Sequence, residues 1–287
     1  DKELDRFNHV DYTNCNTGPI FLTYRHKNKI DFIVKTWTET KTPVYSYKSE
    51  DGVSQIIWVV DEKDVTSELS AIFAKIDYLY IADGHHRSAS AVKVGLKRRQ
   101  DNPSYDGDEE FNYFLSVIFP DNDLYVMDYN RVVADLFGNS FDEFMNKVSE
   151  KFDITAGDGI GQFKPKVKRT YGMFLEGKWY KLEAKEGSFN LNDPVEGLDV
   201  SILQKNLLEP ILGIDDPRTN SRIDFVGGIR GLKELERRVK CGMKIAFSMC
   251  PTTMDDLINI ANAGKTMPPK STWFEPKLQS GIFVHEL

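Results

Sequence analysis

Apolar runs in this chain are short, and they alternate with stretches of helical spacing. That alternation restricts it to a mixed α and β fold. The clearest case is Tyr78-Leu79-Tyr80-Ile81-Ala82, long enough for one buried strand, which stops at Asp83-Gly84. Residues 86–99 then resume helical character, with Ala89, Val92 and Leu96 on one face. Upstream, residues 20–24 and 54–60 read as strands, the second introduced by the turn pair Asp51-Gly52. Residues 64–76 place Val65, Leu69, Ile72, Phe73 and Ile76 at helical spacing. A polar loop bearing Pro and Gly at 100–110 leads to a strand at 111–119.

The remainder repeats the pattern. Residues 124–133 read as extended, and 141–152 as an amphipathic helix. Residues 155–169 look loop-like, with Gly157, Gly159, Gly161 and Pro165. A hairpin over 171–182 turns at Glu176-Gly177, and polar residues 184–194 lead into a helix at 199–212. A strand at 223–226, the glycine turn Gly227-Gly228, a helix at 231–240, a strand at 243–249 and a helix at 253–263 complete the chain. There is no internal repeat and no low-complexity tract. The class expected is α+β, a mixed sheet with flanking helices. Three regions are expected, 1–120, 121–195 and 196–287, the last contributing to the same site as the first.

Composition narrows the function. With 40% hydrophobic and 12% aromatic residues the chain can bury a substantial core. Its 37 Lys+Arg against 44 Asp+Glu give a net charge of −7, which disfavours a general nucleic-acid coat but leaves room for one local anion site. The longest apolar runs, such as residues 56–60, are about a quarter of a membrane-spanning helix. The acidic start has no signal-peptide core, so a cytoplasmic location is expected. The chain begins without Met inside ordinary structured sequence, which reads as a fragment with its N-terminal part missing. Cys15, Cys241 and Cys250 make neither a disulfide framework nor a zinc knuckle, and buried thiols in a reducing compartment are expected.

Chemistry concentrates at Asp83-Gly84-His85-His86-Arg87. A strand stops, a glycine permits a tight turn, and a helix of small residues begins. Such a junction directs unpaired backbone N–H groups and the positive end of the helix dipole outward, a ready anion site. Arg87 can grip phosphate oxygens bidentately, and Asp83 can accept a hydroxyl proton or hold a divalent metal. The plainer alternative has Asp83 as a helix N-cap, Arg87 in a surface ion pair and one histidine in the core. Zinc is a weaker reading, because adjacent histidines point apart and no third ligand lies at regular spacing.

Other patches carry less. In residues 267–278, Pro268-Pro269 stiffen the backbone, Lys270 and Ser271 offer charge and hydroxyl, and Trp273 and Phe274 offer flat apolar surface. Either these form a nucleotide-binding wall or the aromatics plug the core. Gly227-Gly228-Ile229-Arg230-Gly231 is a second possible anion cradle, although positive φ explains its glycines equally well. It lacks the ending of a Walker A loop. Asp224 is a minor metal candidate. Asn16-Thr17-Gly18-Pro19, with His9 and Asp11 nearby, reads as a structural turn. Lys93, Lys97, Arg98 and Arg99 form a basic helix end, ordinarily a solvated face and otherwise the place for polynucleotide contact.

The stretch ADGHHRSASA resembles the family called domain of unknown function 1015. So do NTGPIFLTYR (16–25), PVEGLDVSILQ (194–204), RIDFVGGIRG (222–231) and MPPKSTWFEPKLQSGIFVH (267–285). The DGHHR element also resembles, more distantly, the nucleotide site of the ParB/sulfiredoxin superfamily, which includes free-serine kinases. That resemblance implies a ParB/sulfiredoxin-like core plus an additional α/β region. Gly84, His86 and Arg87 match its phosphate-binding positions, and His85 stands where sulfiredoxin has its catalytic cysteine. Asp83 matches the aspartate implicated in activating serine in the kinases, which also use a glutamate nearer the N-terminus with no located equivalent here.

The expectation is a nucleotide-binding phosphotransferase acting on a small hydroxyl substrate such as free serine. By resemblance it uses ATP or ADP, or CTP, with Mg²⁺. Asp83 is the candidate base, and Gly84, His85, His86, Arg87, Arg230, Lys270 and Ser271 are the candidate nucleotide or phosphate contacts. The alternatives are a nucleotide-sensing module without kinase activity and, less favoured, a nucleic-acid-binding or nuclease-like protein. Membrane association is not expected.

Overall fold

The structure, a computed structural model, describes residues 2–50, 52–156, 161–275 and 277–287. Asp51 of the expected turn pair, Gly157 and Gly159 of the expected loop, and Pro276 lie outside the described residues. The chain forms two compact units: Asp1–Asp123 with Leu278–Leu287, and Leu124–Lys277.

In the first unit, Ile20–Tyr24 is the central strand of a three-stranded sheet, antiparallel to Tyr80–Asp83 and parallel to Ser116–Pro120. Its five residues are all buried, as an apolar run covered on both faces requires. Two expectations change here. The strand ending at Asp83 lies at the sheet edge, with Ala82 its one buried residue. The strand expected from 111 starts at Ser116, because residues 110–112 form a single tight 3₁₀ turn.

The helix His85–Asp101 follows the edge strand, and its inward face differs from the expected one. Val92 and Leu96 are 52% and 50% exposed, while Ser90, Val94 and Gly95 are buried. Small residues turn inward because other backbone comes close there. The Ser90 hydroxyl donates to the Glu3 carbonyl at 3.0 Å, and a Cβ on Gly95 would lie 2.8 Å from the Phe111 carbonyl oxygen. Helix Lys2–Thr13 runs along this face. The strand expected over 54–60 is Ser54–Ile57, paired antiparallel with Tyr45–Lys48, whereas that partner strand and helix Asn28–Thr40 have no counterpart in the sequence reading. Helix Lys63–Phe73 half-buries Val65, Leu69, Ile72 and Phe73 as expected.

The second unit is built on a six-stranded antiparallel sheet. Its order is Ile223–Gly227, Tyr129–Val133, Ile245–Ser248, Thr170–Leu175, Lys178–Ala184 and Phe152–Ala156. Strands from the middle and C-terminal parts of the chain thus share one sheet. The loop expected from 155 begins instead as the end of the edge strand Phe152–Ala156. One core packs Phe144 and Val148 of helix Phe141–Lys151 with Leu203, Leu207 and Leu212 against the sheet. A smaller one packs Leu235 of helix Leu232–Lys240 against Val132, Phe174 and Ala246. The helix expected over 199–212 is α-helical at Asp199–Leu203 and continues as a π turn at Gln204–Leu208. The fold class is α+β, mixed across its sheets, with flanking helices. Among the described residues no helix is long and apolar enough to cross a membrane.

Candidate functional site

At the expected turn, strand Tyr80–Asp83 ends and Gly84 adopts φ 91°, a left-handed conformation that glycine reaches without steric cost. The first intrahelical bond runs from Ser88 N–H to the Gly84 carbonyl, 2.9 Å, so the amides of residues 85–87 precede the helical ladder. No side chain caps this helix. Asp83 is therefore not the N-cap; its Oδ1 accepts the Gly84 N–H at 2.8 Å and ties the carboxylate to the turn.

His85 and His86 are exposed and Arg87 is half-buried. The Arg87 side chain folds back over the turn. A Cβ on Gly84 would lie 3.0 Å from its Nε, and one on Gly18 3.2 Å from its Nη1. Gly18, read from sequence only as part of a structural turn, thus makes room for the guanidinium. The Asn-Thr-Gly-Pro spacing gave no sign of this, since the two segments are far apart in the chain. Lys93, through a hydrogen bond and its charge, holds the Glu3 carboxyl below the usual carboxylate range, and His86 adds to that pull.

The basic helix end is occupied. Lys93 pairs with Glu3, and Lys97 and Arg98 pair with Asp11 at 2.6 and 3.4 Å. Arg99 donates to Asn112 at 2.7 Å and lies over the Tyr105 ring. These are the internal contacts of a solvated helix face.

Lys270, Ser271 and Arg230 belong to the second unit, a different unit from the turn. Gly227 and Gly228 do not have positive φ, correcting that explanation; close approach requires them instead. A Cβ on Gly227 would sit 2.7 Å from the Trp273 ring, and one on Gly228 would collide with the Asp128 carboxylate. Gly231, at φ 70°, does use the left-handed region. Arg230 is exposed. Ser271 is buried, its hydroxyl donating to the Pro268 carbonyl at 2.6 Å. Lys270 is exposed at φ 58°, with Nζ 3.3 Å from the Tyr129 hydroxyl and above the Tyr129 and Phe225 rings. Phe274 is buried, as in the core-plug alternative, whereas Trp273 is half-buried. Asp224 pairs with Arg238. Burial alone would raise its carboxyl, but Arg238, the Phe225 N–H and Lys270 together hold it low.

Among the described residues no group of three or more His, Cys, Asp or Glu is placed to hold a metal. The thiols also differ from expectation: Cys241 is exposed and Cys15 and Cys250 are half-buried. Burial, with the Asp199 charge, pushes the Cys250 thiol up to about 11.

These features describe a two-unit α+β protein with an uncapped glycine turn between an edge strand and a long helix. Residues 1–201 match the family described as "Protein of unknown function (DUF1015)", and the chain belongs to it. No curated protein matches the chain. Similar solved structures include a free serine kinase in complex with AMP: 14% identity, TM-score 0.43, covering 98% of this chain and 81% of that one. A C-terminally truncated SbnI from Staphylococcus aureus is 9% identical, with TM-score 0.47, covering 99% and 79%. A conserved hypothetical protein from Pyrococcus furiosus is 14% identical, with TM-score 0.41, covering 97% and 85%.

Proposed function

We propose that this protein binds a nucleotide at the Asp83–Arg87 turn and transfers a phosphoryl group to a small hydroxyl compound, free serine being the first candidate. The observation that carries the reading is the Gly84 turn itself. Left-handed backbone, uncapped first-turn amides and a guanidinium lying over the turn concentrate positive potential where a polyphosphate would sit. Resemblance of Gly84, His86 and Arg87 to the phosphate-binding positions of the wider superfamily supports the same assignment.

The chemistry assigned to the chain is compact. Asp83, anchored by the Gly84 N–H, accepts the hydroxyl proton. The hydroxyl oxygen bonds to the terminal phosphorus, the bond from that phosphorus to the bridging oxygen breaks, and the nucleotide leaves one phosphate shorter. His86 and Arg87 hold the charge that shifts onto the leaving phosphate. Magnesium would arrive on the nucleotide phosphates, where it offsets charge and keeps most of its water ligands. Asp83 is the one carboxylate on the turn to meet it.

A second reading, nucleotide sensing without transfer, is favoured by the engagement of Asp83 Oδ1 within its own turn. Incubation with ATP or ADP and serine, followed by product analysis, separates the two. Transfer predicts phosphoserine from the wild type and none from Asp83→Asn, with nucleotide affinity retained. Phosphoserine formed equally by the variant eliminates Asp83 as base. Sensing predicts nucleotide-dependent oligomerisation with no product. The paired cations of the basic helix end favour neither polynucleotide binding nor nuclease activity.

A further inference from the structure

Arg131 lies at the centre of strand Tyr129–Val133, second from one edge of the second unit's sheet, and is 4% exposed. A buried guanidinium is ordinarily matched by a carboxylate. Here its N–H groups donate to two backbone carbonyls, those of Tyr129 and, at 3.1 Å, Lys270. Its guanidinium also faces the Phe225 ring, 5.6 Å away. Burial draws the guanidinium down to about 10, so it stays charged, and no carboxylate among the described residues pairs with it. Carbonyl dipoles satisfy its hydrogen bonds but do not cancel its charge.

A second cation stands over the Phe225 ring and also over that of Tyr129. Lys270 Nζ is 5.4 Å from the centre of Tyr129 and 5.8 Å from that of Phe225, and 3.3 Å from the Tyr129 hydroxyl. The neighbouring acids have closer partners: Asp224, which also feels the Lys270 charge, pairs with Arg238, and Asp128 pairs with Lys164 at 2.9 Å. Lys270 also holds the left-handed φ of 58°, unusual for a lysine, while its carbonyl is gripped by Arg131. The strain and the surplus charge share one place.

We propose that Lys270 and the Tyr129 hydroxyl, backed by the buried guanidinium of Arg131, form an oxyanion site within the second unit that takes a phosphate group. Lys270 and Tyr129 touch the ligand. Arg131 is a positioning residue, fixing the lysine backbone through its carbonyl and adding unscreened positive potential. The site does not rest on the reading of the Asp83 turn.

The test is the rate at which Lys270 of the full chain is acetylated, read by mass spectrometry, with the exposed Lys178 as internal control. Inorganic phosphate is one probe and O-phosphoserine, a phosphate monoester, the other. Either slows Lys270 acetylation at least about fivefold while leaving Lys178 unchanged. Protection at lower concentration by the ester marks an esterified ligand, and equal or better protection by the inorganic ion marks free phosphate. Tyr129→Phe shifts protection to several-fold higher concentration. Arg131→Lys, which keeps a charge but not the guanidinium fork, does the same if it folds. Arg87→Gln leaves protection unchanged, separating this site from the turn. The proposal is overturned if neither probe at tens of millimolar protects Lys270, or if Tyr129→Phe protects as well as wild type.

Discussion

The turn at Gly84 and the loop at Gly227 look alike in sequence: a strand, a glycine, a cation, then a helix. Their glycines act differently. Gly84 supplies a left-handed backbone and leaves the helix start uncapped, whereas Gly227 and Gly228 make room for Trp273 and Asp128. Helix Leu232–Lys240, which follows the second loop, also starts without a side-chain cap, but two other helix starts in the second unit are closed by their own side chains. Ser140 with Glu143, and Thr253 with Asp256, form reciprocal capping boxes that occupy the orphan amides. A strand–glycine–cation pattern marks an anion site only where no side chain has already closed the helix and the glycine is not simply packing space.

Substitutions at these positions test the contrast. Gly228→Ala has the largest expected effect, about 3 kcal/mol of lost stability in urea denaturation, because its Cβ meets both the Asp128 carboxylate and the Asp128 carbonyl. An unchanged midpoint would undo the packing explanation.

A buried acid starts another helix of the second unit. Asp199 is 8% exposed, its Oδ1 accepts the Arg169 N–H at 2.8 Å, and burial pushes its carboxyl up to about 6. The folded form therefore keeps its proton over a range where the unfolded chain has lost it. Stability from this group is fully present below the usual carboxylate range and is lost as pH rises to about 6. The full change is on the order of 2–3 kcal/mol. Asp199→Asn should flatten that part of the stability–pH profile, and a profile parallel to wild type would refute the assignment.

Gly84→Ala should cost about 1–2 kcal/mol through the left-handed backbone alone, and weaken nucleotide-dependent thermal stabilisation as the turn is displaced. Loss of one effect without the other would show that fold and binding use different features of the glycine. Ser140→Ala is the smallest change, about 1 kcal/mol from the lost cap, with nucleotide response untouched.

Legibility of the fold followed the range of the interactions. Strand 20–24 and the Glu176-Gly177 hairpin turn were readable because apolar runs and turn chemistry are local. Helix Asn28–Thr40 was not. Its buried residues, Ile30 and Trp37, are two turns apart, while Phe32 and Val34 are exposed and blur the stripe. The inward face of helix His85–Asp101 was misjudged for a related reason: small residues, not the larger Val92 and Leu96, meet neighbouring backbone. At the candidate site, Asp83 to Arg87 stood out because all five are contiguous. Gly18 did not, since its role is to admit an arginine nearly seventy residues away. Arg131 left one sign, a lone cation in the strand Tyr129–Val133, but that no carboxylate among the described residues pairs with it is a tertiary fact.

Titration of ADP into the full chain, wild type against Arg87→Gln, by calorimetry reaches the central claim most directly. If the turn cradles nucleotide phosphates, losing the guanidinium weakens binding at least about tenfold, as expected for a charge-assisted hydrogen bond to phosphate. Equal affinity in the two proteins would place the nucleotide elsewhere or nowhere, and the function proposed for the turn would be contradicted.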